Sequence, residues 1–480
     1  MGWTSRASRM MTLLSLATLV AVGTAAMLGA APASAAGRGA VDVKGSVVTE
    51  GLTVDQALQR QAELSGLLQS DIPRAELVRQ LRIPVTADEI AAIDQVDRST
   101  SPLKIGFVKP VAPAFNVARL GRDAVAAKDG SLVWAAVISA DQGGAIRLHI
   151  ENLNLPDGTE LYVYSRAGEA YGPYTGTGPD ATGDFWTTSL FGSEAILQLR
   201  VSGPNADASL REAAFRVTEV GIISTSFVGP APDAPTAAFC GNPACIVDAS
   251  CYSTANSIKD AYAKMEWIAG AFIYTCTAGA LNDTGSPNAA PYYALSANHC
   301  FSKSTTAKNV TFYWRFRTSS CNGSCPSNTG WPYKTTGSSV ASTNSKGDYL
   351  LLQLNSAPPA GTTLLGFTST AVANTNGVAL HRVSNPNFGP QVYNEQSVNT
   401  SAPTCRSWPR GERIYSRTTL GGTDGGSSGS PVVNASDQVV GQLSGACGTN
   451  TADPCDNTNN ATVDGALAYY WTSVKPIINP

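Results

Sequence analysis

All ten cysteines of this chain lie at or after position 240, so the first half carries no thiol. They are Cys240, Cys245, Cys251, Cys276, Cys300, Cys321, Cys325, Cys405, Cys447 and Cys455. In an exported chain an even count confined to one stretch implies a disulfide framework there. The spacing is not that of paired zinc knuckles, and three histidines without an HExxH pattern argue against a metal site. The downstream half is therefore expected to be built for an oxidising medium and the upstream half not, with a boundary just before Cys240.

Export is read from the other end. Arg6 and Arg9 precede an apolar stretch from Met11 to about Ala30, and Ala33-Ser34-Ala35 offers small residues for cleavage. Residues 1–35 read as a secretory signal peptide. No later run of about 18 uninterrupted apolar residues suggests a membrane span. With 480 residues and 43% hydrophobic content, two or three domains have enough apolar material for cores. Charged residues are only 14% and the net charge is −3, which disfavours nucleic acid as a partner. The 45 glycines and 28 prolines point to many turns and short strands, hence a mainly all-β chain.

The hydrophobic period divides the chain further. From Leu52 to about Val96 it is helical: Leu64, Leu67 and Leu68 share a face, as do Leu77 and Leu81, then Ile90 and Ile93, and Asp71 with Pro73 reads as a helix start. From about Ser131 to Ser224 the period is two, as in Ile146–Ile150 and Leu161–Tyr164, which predicts an antiparallel sandwich. The resulting division is a helical segment at 36–127, a β-sandwich at 128–227, a Pro-rich linker at 228–239 and a cysteine-bearing domain at 240–480. In the last, strand-like runs occur at Trp267–Tyr274, Val310–Phe316, Tyr349–Leu354 and Val439–Leu443, with a terminal helix within Gly465–Val474.

Three segments in this last domain carry chemistry: Leu295-Ser-Ala-Asn-His299-Cys300, Gly347-Asp348-Tyr349, and Gly425-Gly426-Ser427-Ser428-Gly429-Ser430-Pro431. Small residues around Ser428 allow a tight turn that projects the hydroxyl and leaves the amides of Gly426 and Ser428 free to face one point, as a developing oxyanion requires. Amide hydrolysis needs a nucleophile, a base to shuttle its proton and a carboxylate to orient the base. The order His299, Asp348, Ser428 is that of chymotrypsin-type enzymes, not of subtilisins or α/β-hydrolases.

With these motifs, residues 240 to about 475 resemble secreted bacterial serine proteases of the chymotrypsin fold, close to the lysyl endopeptidase group. Cys245-Ile-Val-Asp-Ala-Ser-Cys251, Cys276-Thr-Ala-Gly-Ala-Leu, Phe312-Tyr-Trp through Cys321, and Gly441-Gln-Leu add to the likeness, and Pro156-Asp-Gly through Tyr164 resembles the propeptide domain of such enzymes. The resemblance implies a double β-barrel preceded by a β-sandwich prosegment with short helices. It also implies a secreted serine endopeptidase acting on polypeptides, in which His299 is the base, Asp348 its orienter, Ser428 the nucleophile, and Gly426 and Ser428 the oxyanion donors. Ser444 falls where a polar residue beside the aspartate is expected. The implied bridges are Cys276–Cys300, Cys251–Cys321 and Cys245 with Cys455 or Cys447. No cofactor is implied, and nothing requires or forbids a structural calcium. A monomer is expected.

Two departures bear on mechanism. Ser427 replaces the aspartate that in pancreatic-type relatives receives the new N-terminus, so the prosegment is expected to act instead as a folding aid, as an intramolecular inhibitor, or as both. For the specificity pocket, alignment on Gly465 and Trp471 places Thr462 where lysyl endopeptidases hold an aspartate. A shift of two brings in Asp464, and the trypsin-type position is Gly422. A strict lysine preference is therefore not expected unless Asp464 lines the pocket. The main competing expectation is a non-catalytic binding or adhesion protein on a protease scaffold. An esterase of another fold and a sugar- or surface-binding sandwich retained on the mature enzyme are weaker alternatives.

Overall fold

The computed structural model describes residues 40–71, 79–97, 99–118, 124–228, 239–405 and 407–480. The signal-peptide reading and most of the linker lie outside these residues. Among the described residues no helix is long and apolar enough to cross a membrane.

Upstream, the helix Val54–Asp71 buries Leu68 against Tyr162, Tyr164 and Ala170. Asp71 closes this helix instead of opening one, and its carboxylate pairs with Arg200. The residues after it up to Val78, with Pro73 and Leu77, lie outside the described set. Leu81 sits on a strand, Arg79–Ile83, parallel to Leu132–Ala140. A five-residue apolar alternation fits strand or helix equally, and the partner strand decides. A second helix, Ala87–Asp94, starts in a Thr86/Glu89 capping box and buries Ile90 and Ile93. The segment 36–127 is therefore only partly helical, because Leu103–Val117 is a 15-residue strand.

These added strands complete a two-layer sandwich. One sheet runs Arg79–Ile83, Leu132–Ala140, Glu194–Val201, Thr159–Tyr164, Ala170–Tyr174. The other places Ala145–Asn154 beside Ala214–Ile223 and then Leu103–Val117. Alternate residues such as Ile146, Leu148 and Ile150 meet Leu197 and Leu199 in the core between the sheets.

Downstream, six strands close into a ring: Ala379–Ser384, Val392–Val398, Arg413–Gly421, Asn460–Ala466, Gln438–Gly448, Pro431–Asn434, and back to the first. A second ring precedes it: Tyr349–Leu354, Tyr293–Ala297, Phe272–Leu281, Tyr262–Ala269 and Thr311–Trp314 are joined by Lys334–Thr336 and Ser338–Asn344, two strands on either side of Gly337 that pair with the two ends of the row. The run Trp267–Tyr274 is the apex of a hairpin, not a single strand. A terminal helix, Leu467–Ile478, buries Leu467, Tyr470 and Val474. The cysteines pair 240–325, 245–455, 251–321, 276–300 and 405–447.

Sandwich and barrels share one sheet. Leu103–Phe107 pairs antiparallel with Phe272–Thr275, carrying the upstream sheet into the first barrel. Beside this seam, Arg147 Nη1 donates to Glu266 Oε1 at 3.0 Å, with 1% and 0% of the two side chains exposed. Ser189 Oγ and Tyr313 OH each donate to the same carboxylate at 2.6 Å. Lys334 Nζ donates to Glu169 Oε1 at 2.8 Å, also buried. Charges taken out of water are tolerated only when so fully partnered.

Candidate active site

Strand register sets the first two groups of the site. Ala297 is opposite Tyr349 in an antiparallel pair, so His299, just past one strand, and Asp348, just before the other, emerge at the same end. Asn298 N donates to Asp348 O at 3.0 Å and His299 N to Asp348 Oδ1 at 3.0 Å. His299 Nδ1 then lies 2.9 Å from Asp348 Oδ2, which fixes the ring and leaves Nε2 facing outward. The Cys276–Cys300 bridge ties this corner to the neighbouring strand. Asp348 has φ +52°, a left-handed conformation for a residue with a side chain, costing about 1–3 kcal/mol and kept only where the surroundings enforce it.

Ser428 comes from the second barrel, on the loop between Arg413–Gly421 and Pro431–Asn434. The first barrel holds that loop in place. Thr277 N donates to Ser428 O at 2.9 Å, and Thr277 Oγ1 donates to Gly426 O at 2.9 Å. Gly429 passes so close beneath that an added Cβ would stand 2.1 Å from Ser296 Oγ, and its φ of +81° suits glycine. Ser427 N donates to Asp424 O, Ser430 N to Ser427 O and Gly429 N to Leu443 O. Among the described residues the amides of Gly426 and Ser428 have no protein acceptor. Ser427, fully buried, shares a hydroxyl contact of 3.0 Å with Ser384.

One participant is absent from the motifs. Ser101 Oγ lies 2.5 Å from His299 Nε2 and 2.6 Å from Ser428 Oγ, between the two. The shared sheet accounts for it. Leu103 is opposite Thr275, so two residues further along Ser101 reaches the level of Thr277, whose amide bonds Ser428.

Residues 241–464 match the family described as lysyl endopeptidase, C-terminal domain. The chain is also 26% identical over 358 residues to a lysyl endopeptidase of Pseudomonas aeruginosa, an overlap of 72% of this chain and 74% of that one. These likenesses mark a serine peptidase, similar to the lysyl endopeptidases over residues 241–464. Solved structures similar to the peptidase include the active form of a protease from M. tuberculosis, 14% identical with a TM-score of 0.33 and covering 48% of this chain and 86% of that one. An HtrA-type protease solved with a tripeptide is 13% identical with a TM-score of 0.34, covering 47% and 62%.

Beside Ser428 the peptidase has a cleft lined by Thr418, Thr423, Leu443, Ala446 and Thr462, with Asp424 and Asp453 also on its wall. Thr418 and Thr462 share a hydroxyl hydrogen bond of 3.0 Å. Asp464 does not reach the cleft. It is fully buried, accepting from Arg382 Nη2 at 2.6 Å and from Gln396 Nε2 at 2.8 Å. Gly422 is buried and does not line this cleft, backing onto Cys245 and Pro454. Ser444 Oγ is buried without a hydrogen-bond partner among the described residues, so it does not bond Asp348. His381 is a packing residue whose Nε2 lies 3.0 Å from Asp437, with burial lowering its pKa from the usual 6.5. Cys276 and Cys300 lie near His299 but are bridged to each other, which removes them as metal ligands.

Proposed function

We propose that this chain is a secreted serine endopeptidase made as a preproenzyme, with residues 1–35 as signal, 36 to about 239 as prosegment and 240–480 as the catalytic domain. The observation that carries the mechanism is the convergence of His299, Asp348 and Ser428 from two barrels, with Ser101 Oγ in hydrogen-bonding contact with both His299 and Ser428. In the trimmed enzyme His299 Nε2 takes the Ser428 proton as Oγ attacks the peptide carbonyl. The amides of Gly426 and Ser428 bind the resulting oxyanion, and the imidazolium, stabilised by Asp348, returns the proton to the leaving amine. Labelling of Ser428 by a fluorophosphonate, lost in His299→Ala, is the expected result; a trimmed chain that resists the reagent and cleaves no peptide overturns the reading in favour of a binding protein.

The prosegment acts as an intramolecular inhibitor. Support comes from Ser101, which stands where the reacting groups must meet, and from the seam and buried ion pairs that position it. Ser428→Ala precursor mixed with active enzyme should be cut between Val228 and Cys240, and precursor should be much less active than trimmed enzyme. Equal activity of the two forms rules inhibition out.

Specificity is proposed not to be strictly for lysine. The relative's name states a lysyl preference, but here Asp464 is committed to Arg382 and position 462 is a threonine, so among the described residues lining the cleft no buried carboxylate awaits a lysine ammonium. Digestion of a peptide library should show uncharged residues before the cut bond. Exclusive cleavage after lysine overturns this and directs attention to Asp424 and Asp453 on the wall.

A further inference from the structure

Gln442 and Gly465 belong to the sequence likeness, yet neither has a role in the chemistry described so far. Gln442 lies on the strand Gln438–Gly448 of the second barrel, opposite Pro431 on one side and Gly465 on the other, and is fully buried. Its side chain leaves its own barrel. Nε2 donates to Asp348 O at 2.9 Å and to Gly347 O at 3.1 Å, while Oε1 accepts from Tyr470 OH at 2.6 Å. One primary amide thus uses both its hydrogens on two successive carbonyls, which can only accept and so fix its orientation, leaving Oε1 to take the Tyr470 proton.

The surroundings are shaped around that amide. A Cβ added at Gly465 would stand 2.2 Å from Gln442 Nε2 and 2.3 Å from Gly347 O, so only glycine leaves room. A Cβ at Gly347 would stand 3.0 Å from the rings of both Tyr349 and Tyr470. Those two rings stack with centroids 4.2 Å apart, which sets the height of the Tyr470 hydroxyl. The backbone held by this arrangement is the one at φ +52°. Two carbonyls turned to the same side need donors there, and Gln442 supplies one to each.

We infer that Gln442, aligned by Tyr470 and given space by Gly465, is a positioning residue that holds Asp348 in its left-handed conformation and so keeps the carboxylate on His299 Nδ1. The inference rests on the triad reading above. It makes the second barrel and the terminal helix responsible for a group carried by the first, so the active site depends on the barrels staying in register. Losing the amide frees Gly347 O and leaves Asp348 O with the Asn298 amide alone; the backbone relaxes, and the carboxylate no longer faces the ring. The base is then mis-aimed, and the imidazolium formed during the reaction loses its nearest anion.

The test uses trimmed enzyme and a peptide substrate. Gln442→Met keeps length and bulk without hydrogen-bonding atoms. It should lower kcat by about 10–100-fold with little change in KM, in line with the cost of small misplacements of catalytic groups, and move the acid limb of kcat/KM to lower pH. Tyr470→Phe, which keeps the ring stack and protects against a folding failure of the first variant, should give a smaller loss with the same displacement of the limb. In an Asp348→Asn background Gln442→Met should add almost nothing, because the effect runs through Asp348. A purely structural role predicts lower thermal stability with unchanged kcat and unchanged acid limb, and full additivity with Asp348→Asn; either result overturns the inference. Ser428→Ala is run alongside. If it stays active, the triad reading itself fails; if it is inactive while Gln442→Met and Tyr470→Phe behave as wild type, only the present inference fails.

Discussion

The cysteine-free sandwich and the disulfide-bearing barrels are held together by different means. The sandwich relies on its apolar core and on ion pairs such as Arg200 with Asp71 and Asp129. The barrels add five covalent links, one of them beside His299. Cross-links that limit the unfolded chain matter most for a part that must persist without chaperones. The contrast fits a molecule in which one half is used once and the other must last. It also shows where the halves depend on each other: buried Glu266 of the barrels is paired with Arg147 of the sandwich, and buried Glu169 of the sandwich with Lys334 of the barrels.

The division breaks first if the chemistry is not confined to the barrels. Ser428→Ala should lower kcat by about 10⁶-fold, leaving what the oxyanion donors alone provide. Next in size is the seam. Arg147→Met strands Glu266 without its cation in a dry interface, a loss of about 3–5 kcal/mol; denaturant unfolding of the Ser428→Ala precursor should show it, while the trimmed enzyme, lacking Arg147, is unaffected. Joint replacement Cys276→Ser and Cys300→Ser should cost the barrels about 2–4 kcal/mol in the same assay and leave the sandwich transition where it was.

Much of the barrel half was legible because its chemistry sits in short local motifs whose order is informative. His299, Asp348 and Ser428 could be named from neighbours within a few residues. Ser101 could not: its only signal is a polar Ser-Thr-Ser before a proline, and its position comes from pairing with a strand in the other half of the chain. Thr277 and Gln442 were hidden for the same reason, since each acts on backbone atoms of a distant loop. Strands Arg79–Ile83 and Leu103–Val117 were hidden within a helical segment because pairing partners, not local period, decide such runs. Asp464 illustrates the converse. A carboxylate two places from a candidate pocket position is carried along its strand to a different environment, and there it meets Arg382.

The smallest expected effect sharpens the distinction between working and packing histidines. Burial lowers the His381 pKa, so the unfolded chain binds the proton more readily and stability falls as pH drops below about 6.5. His381→Gln should flatten that acid-side decline in the trimmed enzyme's melting temperature and leave the acid limb of catalysis in place.

The seam between Leu103–Phe107 and Phe272–Thr275 has an aftermath. If the upstream half is removed, as the preproenzyme reading proposes, the hairpin arm at 272–275 loses its main-chain partners along its outer side. A freshly bared rim of that kind invites pairing with any extended neighbour, including another copy of itself. Here the rim is only a few residues long and its pairing is interrupted by an irregularity between Ile273 and Tyr274, too short and too kinked a template to nucleate fibrils.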